Sequence, residues 1–387
     1  LNREEKLAIV SKFKSVANPL MGWKTLKPNE HGDWISQRND VFDTFIAIGD
    51  KDDKTNNNTF FIPYYSNGLK TQRDAWCYNS SKDSLIETTI KSLSFYKSQK
   101  DKYIKERETK PSLEAKSSVL FDYKSISWTR ALLWDVEKNK EHKFEDGQLV
   151  TSQYRPFFKQ FLYFSRALNE MIYQIPKLFP NPSCENLVIC VSASYKDGSV
   201  LISDMIPDLH FNGDTQAFPL YYYEDRNVQQ RTLFDNNEGE GEYIRRDGVS
   251  DFILERAKKQ YGVSTGSTTV LTKEDIFYYV YGFLHSPEYR TKFANDLKKM
   301  LPRLPLVEEV RDFWAFSKAG RKLADLHINY ESVPPYDGVV VNGAETLSFI
   351  DTEPTGTNFY RVEKMRFPKK DQKDTIIYNS RISIENI

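Results

Sequence analysis

Apolar positions along the chain follow two periods, and the changes between them outline its elements. Leu7, Val10, Phe13 and Val16 recur at near-helical spacing behind Asn2 and Glu5, which are placed to form a capping box. "VFDTFIAIGD" (41–50) and "TFFIPYY" (59–65) read as strands. Residues 85–108 return to helical spacing through Ile86, Ile90, Leu93 and Tyr103, with a break at Pro111. "SVLFDY" and "SISWTRALLWDV" then resume with aromatic and aliphatic positions suited to burial. "YRPFFKQFLYFS" (154–165) opens a strand-rich stretch, in which "NLVICVS" and "SVLISD" flank the turn residues 194–198 as a hairpin and "FPLYYYE" adds a strand. From 249 the period is helical again. "VSDFILERAKKQYG" stops at Gly262, a residue suited to a left-handed cap. Thr272 and Asp275 are placed to cap "KEDIFYYVYGFLH", and Ser286-Pro287 starts a helix that Pro302 stops. A further helix spans 308–330, and the tail from Val333 reads as hairpin-like pieces, "YDGVVVNG" and "IIYNSRISI".

This order predicts an α+β chain with a mixed N-terminal part over 1–150 and a second part over 151–387. The second part divides into a β-rich stretch (154–248), a helical cluster (249–332) and small β hairpins (333–387). At 387 residues, with 39% apolar and 14% aromatic side chains, the chain can bury real cores. It contains no run of about 18 apolar residues and opens on neither a signal nor a transit peptide, so no membrane partner is expected and the cytoplasm is the default location. Leu1 opens directly onto a well-formed helix pattern, which suggests a cut through a longer polypeptide. Cys77, Cys184 and Cys190 have no metal-ligand spacing and read as buried thiols.

Charge restricts the candidate functions. The 54 basic and 54 acidic residues cancel, which excludes nucleic-acid binding by bulk charge and makes any such face local. Residues 91–116 carry eight Lys or Arg against four Asp or Glu, and admit two readings, a solvated helix face or a phosphate-facing one. Signatures of catalysis are missing: there is no phosphate loop, no dinucleotide-binding glycine pattern and no nucleophile elbow. The glycines of "NEGEGEY" are flanked by acids that repel phosphate. Two copies of Asp-Leu-His, at Asp208–His210 and Asp325–His327, lack ligand spacing and read as structural, with a metal or catalytic role as the alternative. Asp351 and Glu353 invite a nuclease reading but lack the strand lysine such a site needs, so a surface hairpin competes. Tyr221, Tyr222 and Tyr223 could stack on bases or pack inside. No catalytic or metal-binding residue is assigned.

One segment resists a purely structural explanation. "SNGLKTQRDAW" (66–76) sets two cations, a hydroxyl and a carboxylate between strand-like runs, with Asn67-Gly68 suited to a tight turn. Together with "YRPFFKQFLYFS", "IPDLHFNGDTQAFPLYYYE", "DIFYYVYGFLHSPEYRTKFANDLKKMLPRLPL" and "AGRKLADLHINYE", it closely resembles the C-terminal specificity region of type ISP restriction-modification enzymes, from about residue 29 onward. Those are single polypeptides that join a nuclease, an ATP-driven translocase and an adenine methyltransferase to a target-recognition domain.

The resemblance implies a non-catalytic module that binds double-stranded DNA and selects the site for adenine methylation and ATP-dependent restriction. The Asn-Pro-Pro-Tyr/Phe signature and the translocase motifs are absent here. S-adenosylmethionine, ATP and Mg²⁺ would accordingly belong to methyltransferase and translocase domains upstream in the same polypeptide, with no cofactor in this chain. By resemblance, Gly68, Lys70, Thr71 and Arg73 form a DNA-facing loop with Asp74 orienting Arg73; a plain Arg73–Asp74 surface pair is the alternative. Base readout is expected from the excursion 225–247, through Arg226, Arg231, Arg245 and Arg246. Competing readings are the specificity module of an adenine methyltransferase system without a translocase, a self-contained hydrolase or nuclease using Asp351, Glu353 and a histidine, and a protein-docking domain.

Overall fold

The computed structural model describes residues 2–387 apart from 54, 63, 193–198, 227–242, 263–269, 335 and 344–364. It divides into two compact units, residues 1–328 and 329–387. The fold is α+β, as the change of period along the chain implies.

The strands of the first unit are β1 (Ile46–Ala47), β2 (Ser66–Asn67), β3 (Tyr78–Asn79), β4 (Leu149–Arg155), β5 (Phe158–Tyr163), β6 (Val188–Ser192), β7 (Val200–Ser203), β8 (Ile206–Pro207), β9 (Thr215–Pro219), β10 (Tyr221–Asp225), β11 (Tyr243–Asp247) and β12 (Arg303–Leu304). They form two four-stranded sheets, β2-β9-β6-β7 and β3-β5-β4-β8, and two ribbons, β1-β12 and β10-β11. Position 150 lies inside this unit, and strands on either side of it share sheets: β1 pairs with β12, β2 with β9, and β3 with β5. The turn 194–198 lies outside the described residues, but β6 and β7 on its two sides pair antiparallel with Val191 opposite Val200.

β6 shows how alternation builds the interior. Side chains of a strand point alternately to its two faces. Ile189 and Val191 join Phe61, Phe218, Phe277 and Phe313 in one core, while Val188 and Cys190 join Leu69, Cys77, Leu162 and Ala217 in a second. Both faces of the strand are therefore apolar, and it reads as a continuous run in sequence.

The first core is closed by the helices Lys273–Leu284 and Val310–Ile328. These cross at Gly282 and Gly320, where an added Cβ would lie 2.3 Å from the Phe316 carbonyl oxygen and 2.0 Å from that of Tyr278. Thr272 and Asp275 form the expected capping box, and Gly262 ends Asp251–Tyr261 at positive φ. A third core, with Tyr96, Tyr103, Val119, Ile126, Leu132 and Val136, lies along the helix Lys82–Thr109.

Some local expectations are revised. "VFDTFIAIGD" begins as a helical turn, Asp40–Asp43, because Asn39 caps it, and only Ile46–Ala47 pair as a strand. The helix expected after Ser286 is broken into Pro287–Lys292 and Ala294–Leu297. The N-terminal helix Arg3–Phe13 forms with its capping box but buries none of its side chains. No helix among the described residues is long and apolar enough to cross a membrane.

The second unit holds β13 (Val340–Asn342), β14 (Thr375–Ile377) and β15 (Ser383–Glu385), antiparallel in the order β13-β15-β14. The hairpin read from "IIYNSRISI" is the β14-β15 pair. Asp351 and Glu353 lie outside the described residues.

Candidate nucleic-acid interface

The segment 66–76 does not turn at Asn67-Gly68. Neither residue has positive φ, and the chain runs on extended: Gly68 N–H donates to Thr215 O at 2.9 Å, Leu69 N–H to Pro207 O at 2.8 Å, and Leu209 N–H to Leu69 O at 2.8 Å. Gly68 is needed for space, since a Cβ there would sit 2.4 Å from the Asp208 carbonyl oxygen. Next, Lys70 and Met171 exchange backbone hydrogen bonds of 3.0 and 2.9 Å. The turn comes at Gln72, whose φ is 54°, and leads into the helical turn Asp74–Cys77.

Thr71 and Asp74 lock this turn. The buried Thr71 hydroxyl donates to the Asp74 carboxylate and accepts from Arg73 N–H at 3.0 Å. Asp74 also accepts from the Tyr154 hydroxyl at 3.0 Å and lies 3.6 Å from the Arg155 guanidinium.

Arg73 corrects the expectation of a DNA-facing guanidinium, and equally that of a surface Arg73–Asp74 pair. It is 2% exposed. Its Nε donates to Ser127 O and its Nη1 to Leu168 O, both at 2.7 Å, and its Nη2 reaches Thr129 Oγ1 at 2.5 Å. Glu170 lies 3.8 Å away. Burial lowers the Arg73 pKa, yet a guanidinium stays charged in proteins. A buried cation is tolerable only when its donors are satisfied, and the two carbonyls and the threonine hydroxyl do this here. Thr129 also caps the helix Arg130–Glu137, so one side chain ties the loop after β2 to the third core and to the 165–171 loop. Lys70, by contrast, is half-exposed and has no side-chain partner among the described residues.

Each Asp-Leu-His copy has its own protein partners. Buried Asp208 accepts from Arg155 Nη1 at 2.6 Å and from His210 N–H at 2.8 Å, and burial raises its pKa. His327 Nδ1 faces the buried Tyr281 hydroxyl at 2.5 Å. Among the described residues no metal-ligand group joins the two copies.

The expected readout arginines fare differently from Arg73. Arg245 and Arg246 are exposed on β11. Arg245 lies 4.3 Å over the Tyr221 ring, and Arg246 Nε pairs with Glu224 at 3.1 Å. Arg226 follows β10, and Arg231 lies outside the described residues. The three tyrosines divide: Tyr223 is buried with its hydroxyl on Glu185 O, Tyr222 stacks on Tyr64 at 4.6 Å, and Tyr221 carries Arg245. In the basic run, Lys91 pairs with Glu87 on the solvated face of Lys82–Thr109, while Lys100 is buried and held by Asn139 and Glu141.

Residues 60–387 match the model of the Type ISP C-terminal specificity domain. The chain belongs to that family. Three solved structures resemble this specificity domain throughout. The ATP-dependent Type ISP restriction-modification enzyme LlaBIII bound to DNA is 31% identical with a TM-score of 0.72, and the match covers 100% of the chain and 22% of LlaBIII. A nuclease-deletion mutant of the Type ISP enzyme LlaGI, in complex with a DNA substrate mimic, is 31% identical with a TM-score of 0.71, covering 100% of the chain and 26% of that protein. A DrdV–DNA complex is 25% identical with a TM-score of 0.73, covering 99% of the chain and 35% of DrdV. The chain thus spans about a third or less of these proteins. No curated protein sequence matches it. The specificity domain also draws core residues from before position 60, since Phe42 and Ile48 are fully buried in its first core.

Proposed function

We propose that this specificity domain binds duplex DNA and selects the sequence at which a methyltransferase and an ATP-driven translocase of the same cytoplasmic polypeptide act. The chain itself supplies no catalysis and holds no cofactor. S-adenosylmethionine, ATP and Mg²⁺ serve the other domains. One observation carries this reading: over its full length the chain resembles Type ISP enzymes whose structures contain DNA.

The local chemistry supports a recognition role. With zero net charge, attraction must come from individual cations, and Lys70, Arg226, Arg245 and Arg246 are candidates among the described residues. Lys70 stands on a backbone held by hydrogen bonds from both sides, so it contacts a phosphate with little ordering cost. Arg73 contributes from within as a positioning residue, by holding the loop that carries Lys70.

Binding of a fluorescent duplex across a salt series tests the reading. Affinity should fall as salt rises, and Lys70→Gln should flatten the slope by about one, the contribution of one phosphate contact. Affinity independent of salt, or turnover of S-adenosylmethionine or ATP by the chain alone, would overturn it.

A further inference from the structure

One small surface combines exposed recognition chemistry with unusually firm support. Lys70 and Met171 exchange both backbone hydrogen bonds, so their side chains share a face. Gln72 and Tyr173 flank them, and both hold left-handed backbone, with φ of 54° and 47°. That region is unfavourable for a residue with a Cβ, and such outliers persist where the surroundings impose them, commonly at functional sites. Met171 is 47% and Tyr173 40% exposed; Gln72 is exposed and Lys70 half-exposed.

Around the Lys70–Met171 pair the polar groups are fixed. Arg73 grips Ser127, Thr129 and Leu168, Thr71 is locked to Asp74, and buried Asn169 accepts from Ser165 N–H at 2.9 Å. The neighbouring acids are engaged: Glu170 faces Arg73 and Asp74 faces Tyr154 and Arg155. Base edges are discriminated only by groups held to a fraction of an ångström, which is what such surroundings provide. The ribbon β10-β11 offers its arginines with less support, one lying on a tyrosine ring and one paired to an exposed glutamate.

We propose that Gln72 and Tyr173 are specificity-determining residues that contact bases in a DNA groove while Lys70 holds an adjacent phosphate. This rests on the DNA-binding reading above. A carboxamide matches the N6 donor and N7 acceptor of adenine, so Gln72 selects adenine at one position. The Tyr173 ring packs on a base or a thymine methyl group beside it.

Selection from a randomised duplex DNA pool by the 387-residue chain, followed by sequencing, provides the test. Gln72→Gly and Tyr173→Gly remove the side chains at positions where glycine accepts the backbone, so thermal unfolding should not move below that of the parent. Each variant should lose about tenfold in discrimination at one or two positions of the parent motif. Affinity for the unselected pool should stay within about twofold of the parent, because phosphate contacts are untouched. Arg245→Gln should leave the motif intact. If glycine proves destabilising, Gln72→Glu is the second variant, expected to shift one position from adenine toward cytosine, whose N4 group donates to a carboxylate. Glycine or glutamate variants that enrich the parent motif at undiminished strength would overturn the assignment while leaving DNA binding standing. A parent chain that binds no DNA overturns the underlying reading, and one that binds without enriching a motif overturns its specificity.

Discussion

Two regions of this molecule each set an arginine directly before an aspartate, at Arg73-Asp74 and Arg246-Asp247, and use their arginines in opposite ways. In 66–76, Arg73 is drawn inside and satisfied by main-chain carbonyls and a threonine hydroxyl. In the β10-β11 ribbon, Arg245 and Arg246 remain in solvent, one on an aromatic ring and one against a glutamate. The difference is one of acceptors. A folded loop that leaves carbonyls pointing inward can replace the hydration of a guanidinium, whereas a two-stranded ribbon pairs its inner carbonyls in its own ladder, turns the outer ones to water and leaves its side chains solvated. Charge near a ligand face is therefore evidence of a contact only after the carbonyls around it have been accounted for.

The contrast can be broken most directly at Arg73. Arg73→Ala strands Leu168 O and Ser127 O and empties a buried volume, and should cost about 3–5 kcal/mol of stability in denaturant unfolding. A loss as small as that of a surface arginine would show the clamp to be dispensable. Gly68→Ala comes next: forcing a Cβ against the Asp208 carbonyl, 2.4 Å away, should cost about 1–3 kcal/mol by the same measurement.

Cys77 is a chemical probe of the same region. It is fully buried beside Arg73, and burial pushes its thiol up to about 12. In a Cys184→Ser background the native chain should resist an aromatic disulfide reagent at pH 8, and Arg73→Ala should expose Cys77 to it. Equal labelling rates in the two chains would mean that the loop does not depend on Arg73. Smallest of all should be Arg245→Ala, which is expected to alter stability by less than about 0.5 kcal/mol while flattening the salt slope of DNA binding by about one if Arg245 meets a phosphate. A larger loss of stability would place Arg245 with Arg73 as a structural residue.

Local signals proved legible wherever the information was local. The capping boxes at Asn2–Glu5 and Thr272–Asp275 formed as spacing predicts, because donor and acceptor lie three residues apart. The burial of β6 on both faces and its pairing with β7 follow from a short, continuous apolar run bounded by a turn. "VFDTFIAIGD" failed for a comparable local reason, as the cap at Asn39 outweighed β-prone side chains. The segment 66–76 stood out in the sequence, but where its side chains point did not follow from it. Gln72 and Tyr173 drew no attention, since neither belongs to a residue class that announces left-handed backbone, and Met171 has its meaning only as the partner of Lys70.

By itself the sequence determined the class of fold, the positions of most helices and strands, and a family resemblance carried by long word-like segments. Tertiary structure alone decided where the charges went. Arg73 finds its acceptors 54, 56 and 95 residues away, and Gly68 is explained by a backbone 140 positions further along, at Asp208. Periodicity and capping act within a few residues, where sequence spacing is also distance in space. Desolvating a cation or admitting a Cβ depends on atoms that become neighbours only when the sheets close, and no pattern within a window of the chain records them.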